Sequence, residues 1–81
     1  MIQEDFDRII NVVSERTGVS RERILQKRGK QHIVEARQTV CWLMRLRQHP
    51  LHHIAEMMGV NHGTIINSCR RTNDRLDVDQ R

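Results

Sequence analysis

The stretch HHIAEMMGVNHGTIINSCRR, residues 52–71, contains two helical patterns on either side of a glycine. In the first pattern apolar residues recur every three or four positions, and Gly59 interrupts it. Asn61 is a preferred helix N-cap residue and comes directly before the second pattern. The stretch therefore predicts a helix-turn-helix over about residues 51–76.

The residues within this motif fit its geometry. Ala55 is small enough for a second helix to cross closely, Gly59 tolerates a positive φ, and Val60 can fill the corner between the helices. Ile65 and Cys69 are spaced to face the core. The residues expected on the exposed side of the second helix are His62, Gly63, Thr64, Asn67, Ser68, Arg70 and Arg71.

The order of these exposed side chains suits a helix that reads DNA. A recognition helix brings its N-terminal residues to base edges in the major groove, where short polar side chains bond or pack on thymine methyls. Arginines farther along such a helix fit phosphates. The same helical shape also occurs as a plain structural corner, so the pattern alone leaves that interpretation open.

Upstream of the motif, the sequence predicts an amphipathic helix and then a short one. Residues 2–13 place apolar side chains along one stripe, and Gly18 is positioned as a C-terminal cap. Ser20 is a good N-cap for a short helix that carries Ile24 and Leu25. The chain has only two aromatic residues, so the core must be mainly aliphatic.

A basic loop and a long central helix are predicted next. Residues 27–32 hold three bases and a glycine, and the central helix should run from Val34 or Glu35 to Gln48. Pro50 is expected to stop that helix and start the next one. No stretch alternates as a strand would, so the predicted fold class is all-α, a bundle of about five helices in one domain spanning all 81 residues.

Positive charge is concentrated in the middle of the chain, whose net charge is +4. Residues 1–15 carry one base and four acids, residues 16–47 nine bases and two acids, and residues 48–81 four of each. A folded basic band of this kind suits a phosphate backbone, although a solvated helix face accounts for it as well. The charged tail, residues 73–81, predicts a fraying, solvated end.

Several other classes of protein find no support in the sequence. No apolar run approaches the roughly 18–20 residues of a membrane span, and the acidic N-terminus lacks the pattern of a secretion signal. Cys41 and Cys69 form no CxxC pair and lie on apolar helical stripes, which predicts reduced, buried thiols. The chain is too short for a convincing catalytic cleft. We expect no enzyme activity and no cofactor.

The histidines and the tryptophan have simple interpretations too. The five histidines lack the tight ligand spacings of zinc sites, so no metal is expected. His52 and His53 are expected on the outer face of the first motif helix, near phosphate or solvent. Trp42 is interpreted as partly buried packing rather than as a platform for stacking bases.

The sequence resembles the C-terminal DNA-binding domain of the bacterial replication initiator DnaA, a helical bundle related to the Trp-repressor type. The resemblance runs from about Val12 to Leu76. It rests on ILQKRGKQHIVEARQTVCWLMR, residues 24–45, and on LHHIAEMMGVNHGTIINSCRR, residues 51–71. It implies that the protein binds short asymmetric double-stranded boxes. The basic loop would enter the minor groove and the last long helix the adjacent major groove.

Roles carry over from the family position by position. In the family signature Asp-His-Thr-Thr, His62 and Thr64 match while Asn61 and Gly63 depart, and the turn is one residue shorter. Gly29 stands where the family has a minor-groove arginine. The implied base-contacting residues are Asn61, His62, Gly63, Thr64 and Asn67. The implied phosphate-contacting residues are Arg37, Gln38, Arg45, Arg70 and Arg71. The implied minor-groove residues are Lys27, Arg28 and Lys30.

The resemblance thus implies binding of double-stranded DNA, sequence-specific, with a role in replication or its regulation. The scaffold and phosphate contacts match, whereas the base-reading set is altered, so the family's own box is not inferred. Other replication proteins are a second class of partner left open. The expected location is the bacterial cytoplasm at the nucleoid, for a bacterial or phage protein. A protein–protein interaction module on a repurposed helix-turn-helix is the alternative.

The resemblance covers the DNA-binding domain alone. The sequence has no GxxxxGK[ST] phosphate-binding loop and no room for an ATPase, so it cannot be a complete initiator. Met1 and the acidic first helix favour an independent small protein over an excised domain.

Overall fold

The computed structural model describes residues 2–26 and 29–79, with side chains through Leu76. The helices are α1 (Ile2–Thr17), α2 (Arg21–Leu25), α3 (Gln31–Leu46), α4 (Leu51–Met58) and α5 (His62–Asp79). Within these ranges there is no strand. The predicted all-α bundle of five helices is confirmed.

Capping residues end and begin the helices as their chemistry predicts. Gly18 follows α1 with φ 74° and donates its N–H to the Ser14 carbonyl at 2.9 Å. The Ser20 hydroxyl accepts the Arg23 N–H at 3.3 Å, which is an N-cap bond for α2. Gly59 ends α4 in the left-handed conformation with φ 69°. The predicted caps Gly18 and Ser20 and the positive φ predicted at Gly59 are confirmed.

The N-terminus of α3 lies earlier than predicted. Lys30 is its N-cap residue, and the Lys30 carbonyl accepts the N–H groups of Ile33 and Val34 at 3.0 Å. Gln31 and His32 therefore belong to the helix and not to the basic loop. Both are exposed in the first turn, where a helix needs no apolar side chain, and so they left no periodic signal.

The C-terminus of α3 was also placed wrongly. The helix ends at Leu46, and Gln48 follows with φ 65°, a left-handed conformation uncommon outside glycine. Its N–H donates to the Arg45 carbonyl at 2.8 Å. Pro50 does not stop α3. It is the N-cap residue of α4, where the missing N–H of proline removes no hydrogen bond from the helix.

The core surrounds α3, which packs against all four other helices. The largest fully buried side chains of this core are Ile10, Ile24, Val40, Cys41, Met44, Ile54 and Ile65. Trp42 is half-buried, as predicted, and its indole N–H donates to Asn73 Oδ1 at 2.7 Å. The bundle is therefore held by aliphatic packing, to which this bond adds a polar link between α3 and α5.

The segment Asn73–Leu76 is not the fraying end that its composition predicted. It is part of α5, and Asn73 accepts the bond from Trp42. Arg75 donates to Gln38 Oε1 at 3.1 Å and to Thr39 Oγ1 at 3.2 Å. These long-range bonds connect the second half of α5 to α3, a contact that charge composition alone does not reveal. Residues 77–81 lie outside the described side chains.

Acidic residues of α1 pair with part of the basic band. Asp5 accepts from Arg47 at 3.1 Å and contacts the His49 ring nitrogen at 2.9 Å, and Asp7 pairs with Arg21. The pKa of Asp5 is lowered mainly by its hydrogen bond with His49 and, to a smaller extent, by its hydrogen bond with Arg47. The pKa of Asp7 is lowered chiefly by Arg21. Part of the positive charge is thus balanced within the fold.

Acidification is expected to weaken the fold through these two carboxylates. Because folding lowers both pKa values, the stabilisation is present above about pH 4 and is lost as the pH falls through the folded-state values. The variant D5N/D7N should be less stable at pH 6 and lose less stability below pH 4. Urea unfolding followed by Trp42 fluorescence measures this at each pH. E4Q, which removes an exposed carboxylate, is the control. If the free energy of unfolding of D5N/D7N falls with pH as steeply as that of E4Q, the prediction is wrong.

Candidate nucleic-acid interface

Helices α4 and α5 form the predicted helix-turn-helix. The turn consists of Gly59, Val60 and Asn61, and the Val60 N–H donates to the Ala55 carbonyl at 3.0 Å. Ala55 is 4% exposed and Val60 is half-buried against the core. The small residue at the crossing and the apolar corner residue take the places that the sequence predicted.

Asn61 caps α5 with a double contact. Its Oδ1 accepts the Thr64 backbone N–H at 2.9 Å and the Thr64 hydroxyl at 3.0 Å. Both residues are exposed. The cap uses the Asn61 oxygen and the Thr64 hydroxyl hydrogen, so the Asn61 amide hydrogens and a lone pair of Thr64 Oγ1 are the groups left for a ligand. Their expected base contacts stay a prediction.

The exposed side of α5 carries most of the predicted residues. These are His62, Gly63, Asn67, Arg70 and Arg71, which we call the reading face. Ser68 does not belong to it, contrary to the prediction, since it is only 5% exposed. It lies on the same side of the helix as Ile65 and Thr72, and its hydroxyl faces the Cys41 thiol. A short polar residue here fits the tight contact with α3.

A cleft between α3 and α5 brings together predicted residues from both helices. Its walls include Gln38 of α3 and Asn67 and Arg71 of α5. Glu35 and Asp74 also line it, and their charges would oppose a phosphate placed at that point. The cleft therefore favours phosphate near Arg71 and polar groups elsewhere.

Three predicted phosphate-contacting residues also make bonds inside the protein. Arg37 Nε donates to the Ile24 carbonyl at 2.9 Å, which connects α3 to α2. Gln38 accepts from α5, and Arg45 donates to the His49 carbonyl at 2.7 Å. These bonds orient the side chains toward defined positions. Gln38 and Arg45 have further N–H groups that can donate, whereas Arg37 Nη2 is buried.

Arg75 and Ile66 are the residues of this surface that the sequence prediction missed. Arg75 positions Gln38 through the bond described above. Its spacing of four residues from Arg71 was the available signal. Ile66 is 48% exposed among the polar residues of the reading face. An exposed isoleucine there contradicts simple amphipathic patterning and could have been noticed for that reason.

The predicted minor-groove loop is described only in part. Lys27 and Arg28 lie outside the described residues, while Lys30 is exposed at the N-terminus of α3. A Cβ added to Gly29 would lie 2.8 Å from Ile33 Cγ2 and 2.9 Å from Ile33 Cβ, closer than packing allows. The absence of an arginine at this position therefore has a structural reason, because buried Ile33 occupies the space.

The remaining reactive groups are the two thiols and the histidines of α4, of which His52 lines the same pocket as His62 and Gly63. Burial raises the pKa of Cys41 to about 12, and burial also raises the pKa of Cys69. Both thiols are free. His52 and His53 are exposed on α4, as expected, with ring centroids 4.2 Å apart. In residues 2–26 and 29–79 no three potential ligands cluster as a metal site, and none of the helices could span a membrane.

The bundle, its helix-turn-helix and the exposed basic reading face define the class of helix-turn-helix proteins. The sequence model of the family described as "Bacterial dnaA protein helix-turn-helix" matches residues 6–72, and the chain belongs to this family. Membership indicates DNA binding. No curated protein and no solved structure matches the chain.

Proposed function

We propose that the protein binds double-stranded DNA sequence-specifically and acts in replication or its regulation. The observation that carries this proposal is the order of exposed residues along α5. His62 and Gly63 are exposed in the first turn, and Arg70 and Arg71 are exposed two turns later. This order matches base reading at the start of a recognition helix and phosphate binding beyond it.

The major-groove contacts follow from the start of α5. His62 offers a ring nitrogen to a base edge, and Gly63 lets the backbone approach closely. Asn61 and Thr64 hold the first turn of α5 in place through the hydrogen bonds between them. They would add one amide group and one hydroxyl oxygen to the base contacts. Asn67, one turn later, would reach the next base edge or its phosphate.

The phosphate and minor-groove contacts surround that helix. Arg70 and Arg71 would bind one strand, and Arg37, Gln38 and Arg45 would bind backbone near α3, their orientations fixed by internal bonds. Lys27, Arg28 and Lys30 would line the minor groove without the family's arginine. The base-reading set differs from the family signature, so we propose a different preferred sequence.

The setting of this activity is part of the proposal. DNA would be the main partner, in the cytoplasm of a bacterium or of a phage-infected cell, at the nucleoid. Other replication proteins are proposed as secondary partners, because the family's role is in initiation. No membrane and no small-molecule substrate is proposed.

A selection from random duplexes tests the proposal. The purified protein is mixed with a pool of randomised duplexes at near-physiological salt, and the retained duplexes are sequenced. An enriched motif supports sequence-specific binding. The variant H62A should reduce the enrichment of that motif more than it reduces the total amount of DNA retained. Retention without enrichment would reduce the function to non-specific phosphate binding. No retention, even at low salt, would overturn the proposal in favour of a protein-interaction module.

A further inference from the structure

We propose that Ile66 reads the 5-methyl group of a thymine in the major groove. This inference rests on the proposed function, since it assigns one base preference to the same surface. It names a specificity-determining residue that neither the helix-turn-helix pattern nor the match to the family identifies. The evidence is the exposure of Ile66, its neighbours on α5 and the chemistry of the major groove.

The fold has no need of an isoleucine at position 66. Ile65 is 0% exposed in the core, whereas its neighbour Ile66 is 48% exposed. A β-branched residue at an exposed helix position is a weaker helix former than alanine or leucine. Neither core packing nor helix formation therefore accounts for the side chain.

The neighbours of Ile66 place it inside the reading face. His62 and Gly63 lie four and three residues before it and Arg70 four residues after it, so all three are its neighbours on the helix surface. Helical side chains lean toward the N-terminus, so Ile66 extends over the turn that contains Gly63. This is the part of a recognition helix that comes nearest to base edges.

Gly63 leaves the isoleucine uncovered. A Cβ at position 63 would make only an ordinary 3.5 Å contact with Asn61 Oδ1, and Gly63 has no positive φ. Local packing thus does not require glycine there. Its effect is to remove a side chain between Ile66 and an approaching base, which exposes an aliphatic surface beside the polar His62.

The major groove offers one apolar group that fits this surface. Base edges there present hydrogen-bond donors and acceptors, together with the thymine methyl. An isoleucine cannot bond a polar edge and would leave it desolvated and unpaired, which is unfavourable. Contact with a methyl avoids that loss, so the surface favours thymine over cytosine at the facing position.

Methyl deletion in the DNA tests the inference. The probe is the duplex most enriched in the selection, with each thymine replaced in turn by deoxyuridine, which lacks the methyl but keeps base pairing. Fluorescence anisotropy gives the affinities of the parent protein and I66A. We expect one deoxyuridine position to weaken the parent about fourfold, as for one buried methyl, and to leave I66A unaffected.

Matched controls separate this result from general effects. V12A and L46A also shorten exposed apolar side chains, which are 45% and 59% exposed on α1 and α3, and they should keep the parent's full deoxyuridine effect. If no deoxyuridine weakens the parent, or if I66A shows the same loss, the inference is overturned while DNA binding stands. An enriched motif without thymine also overturns it. Absence of DNA binding overturns both the inference and the proposed function.

Discussion

I65A is expected to lower the free energy of unfolding by about 2–5 kcal/mol, the usual cost of truncating a buried isoleucine. Ile65 is 0% exposed in the core that α5 shares with α3 and α4. Domains of this kind have a total stability of about 5–15 kcal/mol, so the loss is a large fraction. Urea unfolding followed by the fluorescence of Trp42, the only tryptophan, measures it.

I66A is the matched control, because it makes the same chemical change at the adjacent position. Its side chain is 48% exposed, so the free energy of unfolding should change by no more than about 0.5 kcal/mol. The pair therefore tests the rotation of α5 directly. Equal losses for I65A and I66A would mean that α5 presents a different side to the core, and the reading face would have to be reassigned.

R70A/R71A is expected to weaken DNA binding about 10²–10⁴-fold on every duplex. Hydrogen bonds to charged partners contribute about 1.5–3 kcal/mol each, and both arginines are exposed on the reading face. Since each phosphate contact releases counterions, the slope of log affinity against log salt should become shallower by about two. Anisotropy titrations at several salt concentrations on the enriched duplex and an unrelated one measure both effects.

R8A/R16A is the control for net charge. It removes the same two positive charges from exposed positions on α1, so the net charge falls from +4 to +2 in both variants. Binding to a defined face predicts a small change for R8A/R16A. If the two double variants lose affinity equally, binding follows overall charge, and α5 is not the contact surface.

The sequence predicted most of the fold because the relevant signals are local. Apolar stripes and capping residues such as Gly18, Ser20 and Asn61 fix helices through neighbours within a few positions. The errors arose where local signals end. Gln31 and His32 extend α3 with no apolar residue, and the left-handed Gln48 ends it without glycine.

The candidate site was predictable in composition but less so in geometry. The exposure of His62, Arg70 and Arg71 followed from helical spacing. The bonds from Arg75 to Gln38 and from Arg37 to Ile24 join residues at least 13 positions apart, and no spacing rule reveals them. Whether an arginine contacts phosphate or supports a neighbour depends on such tertiary contacts.

The close approach of Gly29 to Ile33 makes these two positions an epistatic pair. An arginine at position 29, the residue that the family resemblance implies there, would place its Cβ against a side chain that is only 6% exposed. Shortening the side chain at position 33 would remove the contact with Cγ2 but not the 2.9 Å contact with Cβ, so the backbone would also have to shift, and the shortened core residue would itself cost stability. The buried side chain at position 33 therefore restricts which residues the loop can acquire at position 29.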